Sequence, residues 1–162
     1  ARIGFVPEDR LRDAIIAPMT LTENLALKEA GSRRGRMPWA EFRSRTAAVV
    51  QNNEVRAPGP ETAAATLSGG NQQKFVLGRE LEGSPELLVV ENPVRGLDIR
   101  AAAQVIKDLR AARSTGVAIV MYSSDLDELL SVADRTVVCF GGRVTPVAAD
   151  SESLARALVG AS

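Results

Sequence analysis

The spacing of apolar positions along the chain separates strand-like runs from helix-like ones. Residues 3–6 form a short apolar run that enters Pro7-Glu8-Asp9-Arg10, which predicts a strand giving way to a loop. Thr20 and Glu23 have the spacing of a capping box, and Leu21 and Leu25 begin a helical face behind it. Pro38 opens a longer helix with Trp39, Phe42, Thr46 and Val49 on one face, lasting to about Asn53. Pro58-Gly59-Pro60 ends that pattern. Residues 9–66 are therefore expected to form a helical insertion without a strand.

Ser68 then stands where a helix N-cap belongs, ahead of a periodic stretch with Leu77 and Leu81, and Gly83-Ser84-Pro85 stops it. Residues 87–91 are continuously apolar and end in an acid, the pattern of a buried parallel strand. Asp98 can cap a helix whose apolar positions are Ile99, Ala102, Ile106 and Leu109, with Gly116 as its stop. Residues 117–121 predict a second buried strand, and Ser124 or Asp125 caps a helix bearing Leu126, Leu129, Leu130 and Ala133. Residues 135–140 and 143–147, joined by Gly141-Gly142, predict a hairpin, and Leu154 and Leu158 a last short helix. Strand alternating with helix after residue 86 indicates a parallel α/β core with a helical lobe inserted into it.

Composition narrows the function classes. A chain of 162 residues with 45% hydrophobic content suits one domain with a core of its own. The 20 basic and 20 acidic side chains cancel, so the broad basic footprint of a duplex nucleic-acid binder is missing. Arg33, Arg34 and Arg36 cluster, but a short basic run between helices is usually a solvated loop. No histidine occurs, which removes Ser-His-Asp and Cys-His catalysis and histidine metal sites. The single cysteine, Cys139, cannot form an internal disulfide and is expected to be a small buried residue. No apolar run approaches the ~18 residues of a membrane span, so the chain is expected to be soluble.

The candidate chemistry centres on Leu67-Ser68-Gly69-Gly70-Asn71-Gln72-Gln73-Lys74. Paired glycines at a helix start leave N–H groups and the positive end of the helix dipole open to an anion such as phosphate. Gly-Gly alone would favour a plain Gly-rich loop that starts a helix, but the octet as a whole resembles the signature motif of ABC ATPases. Its tail, Asn71-Gln72-Gln73-Lys74, is similar to the variant found in importers of simple sugars and nucleosides. The resemblance extends from residue 2 to about 149. Residues 3–8 resemble the Q-loop, with Glu8 at the position that normally holds a glutamine. Residues 87–93 resemble the Walker B strand, with Glu91 in place of the magnesium-binding aspartate and Asn92 in place of the glutamate that handles water. Arg95-Gly96-Leu97-Asp98 matches the D-loop, where Asp98 also suits a helix cap. Ser124 stands where the switch loop usually has a histidine; it can contact the γ-phosphate or simply cap its helix.

The phosphate-binding pattern G-x-x-x-x-G-K followed by Ser or Thr is absent from the sequence. The resemblance thus implies the C-terminal part of a nucleotide-binding domain: a partial P-loop NTPase core with parallel strands, an inserted helical subdomain and a C-terminal hairpin. It divides the chain into a Q-loop strand (1–8), the helical subdomain (9–66), and the signature, Walker B, D-loop and switch-loop part (67–162). It implies ATP and magnesium as ligands of the full-length subunit, with Glu8, Leu67, Ser68, Gly69, Gly70, Asn71, Gln72 and Asp98 at the nucleotide. Glu8 and Glu91 would be weak magnesium ligands, and Glu91, Asn92 and Ser124 degenerate catalytic positions. A carboxamide can orient water but cannot take its proton. ABC ATPases work as head-to-tail pairs, so the intact signature would serve the partner half. The implied partners are that second ATPase half and transmembrane permease subunits, at the cytoplasmic face of the membrane. The chain alone is expected to be inactive. Two rivals remain from the sequence: a non-transport ABC ATPase acting on DNA or the ribosome, and a non-catalytic module that docks on a permease.

Overall fold

In the computed structural model, which describes residues 2–31 and 34–160, strand β1 (Ile3–Val6) pairs in parallel with β2 (Leu87–Glu91). The register sets Gly4 opposite Leu88 and Val6 opposite Val90. These four positions are buried, whereas Ile3 and Phe5, on the other face of β1, are exposed. Strand β3 (Ala118–Tyr122) completes a sheet of order β1-β2-β3. The chain divides into two compact units, one ending at Val120 and the other beginning at Met121.

In the first unit, the loop after β1 turns into a single helical turn, α1 (Arg10–Asp13), capped by Asp9. Helix α2 (Leu21–Ala30) starts with the predicted capping box: Thr20 Oγ1 accepts from Glu23 N and Glu23 Oε2 accepts from Thr20 N. Asn24, fully buried, uses its carboxamide to hold the loop before α2, donating to the carbonyls of Ile16, Met19 and Thr20. Helix α3 (Trp39–Asn52) buries Phe42, Thr46 and Val49 as its periodicity predicts, but Trp39 is 41% exposed. A 3-10 turn (Ala64–Thr66) leads into α4 (Gly69–Glu82), which packs against α3, β1 and α5 (Ile99–Ser114). Being covered on several sides, α4 buries polar as well as apolar residues, among them Gln72, Gln73, Arg79 and Glu80.

Three sequence expectations need correction. Helix α5 buries Ala101, Val105, Leu109 and Ala112; of the expected face Leu109 is buried, but Ala102 and Ile106 are only partly covered and Ile99 is 89% exposed. Ala101 lies against α4, whose closely approaching Gly70 rewards a side chain no larger than a methyl group. Strand β3 is not a buried strand, since Val120 is exposed. Cys139 is exposed too, because it lies on the outward side of β4 (Thr136–Phe140), whose buried positions are Thr136 and Val138.

The second unit contains α6 (Leu126–Val132), the antiparallel pair of β4 with β5 (Arg143–Val147), and α7 (Ser151–Leu158). Gly141 and Gly142 both have positive φ, 57° and 76°, as a two-residue hairpin turn requires. Leu154 of α7 is buried while Leu158 is half exposed. Of the basic run, Arg34 and Arg36 are exposed, and Arg33 lies outside the described residues.

Candidate nucleotide site

The parallel register of β1 and β2 assembles one side of the site. With Val6 level with Val90, residues two positions further along each strand also meet. Asn92 Nδ2 donates to Glu8 Oε2 at 2.8 Å, and Glu8 N lies 3.5 Å from Glu91 Oε2 as its donor. Asn92 is 6% exposed and adopts a positive φ of 41°, a region that asparagine enters more readily than most residues. From there its carbonyl accepts from Arg95 N at 3.1 Å, closing a turn through Pro93 and Val94. That turn brings Arg95 into an ion pair with Glu8 Oε1. Sequence reasoning quoted Arg95 only as part of a motif and missed this role. The one available signal was a cation four residues after a strand-ending acid.

Asp98 caps α5, accepting from Arg100 N and Ala101 N at 3.0 and 2.9 Å. In the second unit, Asp125 rather than Ser124 is the N-cap of α6. Ser124 is exposed ahead of it, and Ser123 supports the cap by accepting from Asp125 N and donating to Glu128.

The signature stretch forms the start of α4. Ser68 is the N-cap by backbone conformation and its carbonyl takes the first helical bond, from Gln72 N at 2.9 Å. Its hydroxyl makes no cap bond to the first turn; it accepts instead from Asn71 Nδ2 at 2.9 Å. Asn71 is itself held by Arg56 N, which donates to its Oδ1. Leu67 and Gln72 face inward. Gln72 Nε2 donates to Ala64 O, and its Oε1 accepts from Arg10 Nε at 3.3 Å. The Arg10 guanidinium occupies the space where a Cβ at Gly69 would stand, and a Cβ at Gly70 would lie 2.9 Å from that of Ala101. Gly70 is therefore constrained by packing, whereas a side chain at Gly69 would meet only the movable end of Arg10. Ser68 and the first-turn N–H groups can serve an anion, whereas Gln72 ties α4 to the loop carrying Glu8.

The resemblance implies magnesium at Glu8 and Glu91, and the arrangement does not fit it. Both Glu8 oxygens are engaged, one by a guanidinium and one by an amide donor. Among the described residues no three acidic, cysteine or histidine side chains gather in a way that could hold a metal ion. No helix among them is long and apolar enough to cross a membrane.

No family model matches the chain. It is 40% identical over 146 residues to the nucleoside import ATP-binding protein NupA of Lactococcus lactis, covering 88% of this chain and 29% of that protein. It is 36% identical over 146 residues to the guanosine import ATP-binding protein NupO of Bacillus subtilis, with the same coverage, 88% and 29%. It is 37% identical over 164 aligned positions to the ribose import ATP-binding protein RbsA 2 of Streptomyces avermitilis, covering 100% of this chain and 32% of that protein. The chain thus spans about three tenths of the length of the curated relatives it matches. The fold is similar to that of the ATP-binding cassette MJ0796 in a dimeric post-hydrolysis state with ADP and Pi. The TM-score is 0.71 and the identity 23%, over 90% of this chain and 62% of that one. A second dimeric structure of MJ0796, a bacterial ABC transporter cassette, gives a TM-score of 0.68 at 24% identity, over 84% of this chain and 57% of that one. The chain thus has the fold of an ABC ATPase cassette and is similar, over nearly all of its length, to a part of ATP-binding proteins named for nucleoside and ribose import.

Proposed function

We propose that this chain is part of a subunit that binds and hydrolyses ATP to drive import of a simple sugar or nucleoside, and that its contribution is the signature start of α4. The relatives' names carry the transport reading, and the observation that favours the signature role is the state of Ser68. Its hydroxyl is exposed at the N-cap without being used to cap the helix, so it and the first-turn N–H groups stay available to a γ-phosphate. ATP, with magnesium, would be held by the phosphate loop of a second ATPase half and clamped by these donors. This half's own site, with Asn92 and Ser124 at catalytic positions, would turn over poorly. The subunit would act at the cytoplasmic face of the membrane, with residues 9–66 against the permease.

Two steady-state measurements on the intact transporter test the division of roles. Ser68→Ala removes a preorganised donor, a change that typically costs roughly 10²–10³ in rate. Asn92→Gly keeps the backbone relaxed at its positive φ and should change turnover little, because a carboxamide supplies no general base to lose. A crippled Asn92→Gly beside a near-normal Ser68→Ala would reverse the assignment. The chain alone, which lacks a phosphate-cradle sequence, should show no micromolar binding of Mg-ATP in a calorimetric titration.

A further inference from the structure

The misfit between the Glu8–Glu91 pair and a divalent cation has a specific structural cause. Magnesium requires near-octahedral oxygen ligands and keeps several waters, so a carboxylate serving it needs an oxygen free of strong donors. Glu8 has none, with Arg95 on Oε1 and Asn92 Nδ2 on Oε2. The backbone enforces both contacts. The strand register sets residue 92 level with residue 8, the positive φ of Asn92 turns the chain, and the bond from Arg95 N to Asn92 O returns Arg95 towards Glu8. Leu97 N donates to Val94 O in a second turn, which holds the segment that follows.

We propose that the guanidinium of Arg95 takes the place of the divalent cation at Glu8, so that this carboxylate is neutralised from within and this half's own site takes up no metal. One positive charge is fixed against the Glu8 carboxylate, while Glu91 is held by the backbone amide of Glu8. A metal could bind only by displacing Arg95 and turning the Asn92 donor away. The site then differs from its metal-using counterpart in the identity of its cation as well as in its missing base.

The inference rests on placing Glu8 and Glu91 at the nucleotide site, but its test reads the carboxylates directly and can fail while the ATPase result stands. The 162-residue chain is titrated with Mn²⁺, and the free ion is followed by electron paramagnetic resonance. The unaltered chain should show no saturable site tighter than about 1 mM, the weak end of protein cation sites. Arg95→Ala should create a site at least about tenfold tighter. Arg95 is 70% exposed, so this change should leave the fold intact, which circular dichroism checks. Glu8→Gln added to Arg95→Ala should abolish the new site, and Arg95→Lys, which keeps the charge, should behave as the unaltered chain does. Binding by the unaltered chain as tight as by Arg95→Ala would overturn the proposal. So would no gain in Arg95→Ala, a gain that survives loss of Glu8, or an equal gain in Arg95→Lys.

Discussion

The side chains of Asn92 and Glu8 meet at 2.8 Å although 84 positions separate them in the sequence. Their meeting follows from the parallel pairing of two short strands, in which Val6 and Val90 are level. Whatever follows either strand is carried to the same edge of the sheet. That is where ligands of open parallel sheets are generally bound.

The backbone at Asn92 gives a stability expectation. A φ of 41° costs a side-chain-bearing residue roughly 1–2 kcal/mol, less for asparagine and nothing for glycine. Asn92→Ala should therefore unfold at lower urea than Asn92→Gly, by about 1 kcal/mol. Equal midpoints would mean that this turn relaxes readily.

Arg79 and Glu80 form a buried ion pair that joins four parts of the first unit. Glu80 accepts from Arg79, from Lys28 of α2 at 2.8 Å and from the Phe5 amide of β1 at 3.2 Å. Arg79 also donates to Ala14 O at 2.7 Å. Burial lowers the Arg79 pKa, while Glu80 opposes that shift. Glu80→Ala would leave a buried guanidinium unpaired, a change that typically costs about 3–5 kcal/mol. The Arg79→Met/Glu80→Leu pair should recover part of that loss in chemical unfolding. A double variant no more stable than Glu80→Ala would show that the remaining hydrogen bonds matter more than the charge.

Two acids give a pH dependence of a definite sign. Asp108 and Glu128 each have a buried carboxylate oxygen without a hydrogen-bond partner. Burial raises the pKa of both, against the lowering effects of bonds from Gln104 and Ser123. A raised folded-state pKa favours the protonated form, so the associated stability is present below the ordinary carboxylate range. It is lost as pH rises through the folded-state pKa. Asp108→Asn should therefore raise the melting temperature near neutral pH and do little in acid, as should Glu128→Gln for the second unit. A gain of equal size at both pH values would point to packing instead.

Trp39 is the test position for membrane docking. It is 41% exposed at the start of α3, with its ring centroid 6.3 Å from that of Phe42 beneath it. In the assembled transporter, a photocrosslinker attached at Trp39→Cys should trap a permease subunit. Crosslinks confined to residues 135–162 would contradict the assignment of the 9–66 lobe.

Local chemistry made much of this structure legible in the sequence. The Thr20–Glu23 capping box, the Asp98 cap, the Gly141-Gly142 turn and the strand at 87–91 each depend on residues close together in the chain, and each appears as the sequence predicts. The start of α4 at Ser68 was equally visible, because a helix start needs only its own residues. Tertiary packing decided the rest. Helix α5 presents Ala101 and Val105 inward because α4 approaches through Gly70, and a periodic pattern cannot reveal how large its neighbour is. Cys139 lies outside because the hairpin's facing fixes which alternate residues are covered. Arg95 reaches Glu8 because strand register and a positive φ, neither of them encoded in residue type at any single position, bring distant charges to one edge. Sequence alone therefore determined which chemical groups are present and where elements begin. Only the folded chain, by setting distances between groups remote in sequence, determined which of them neutralise one another.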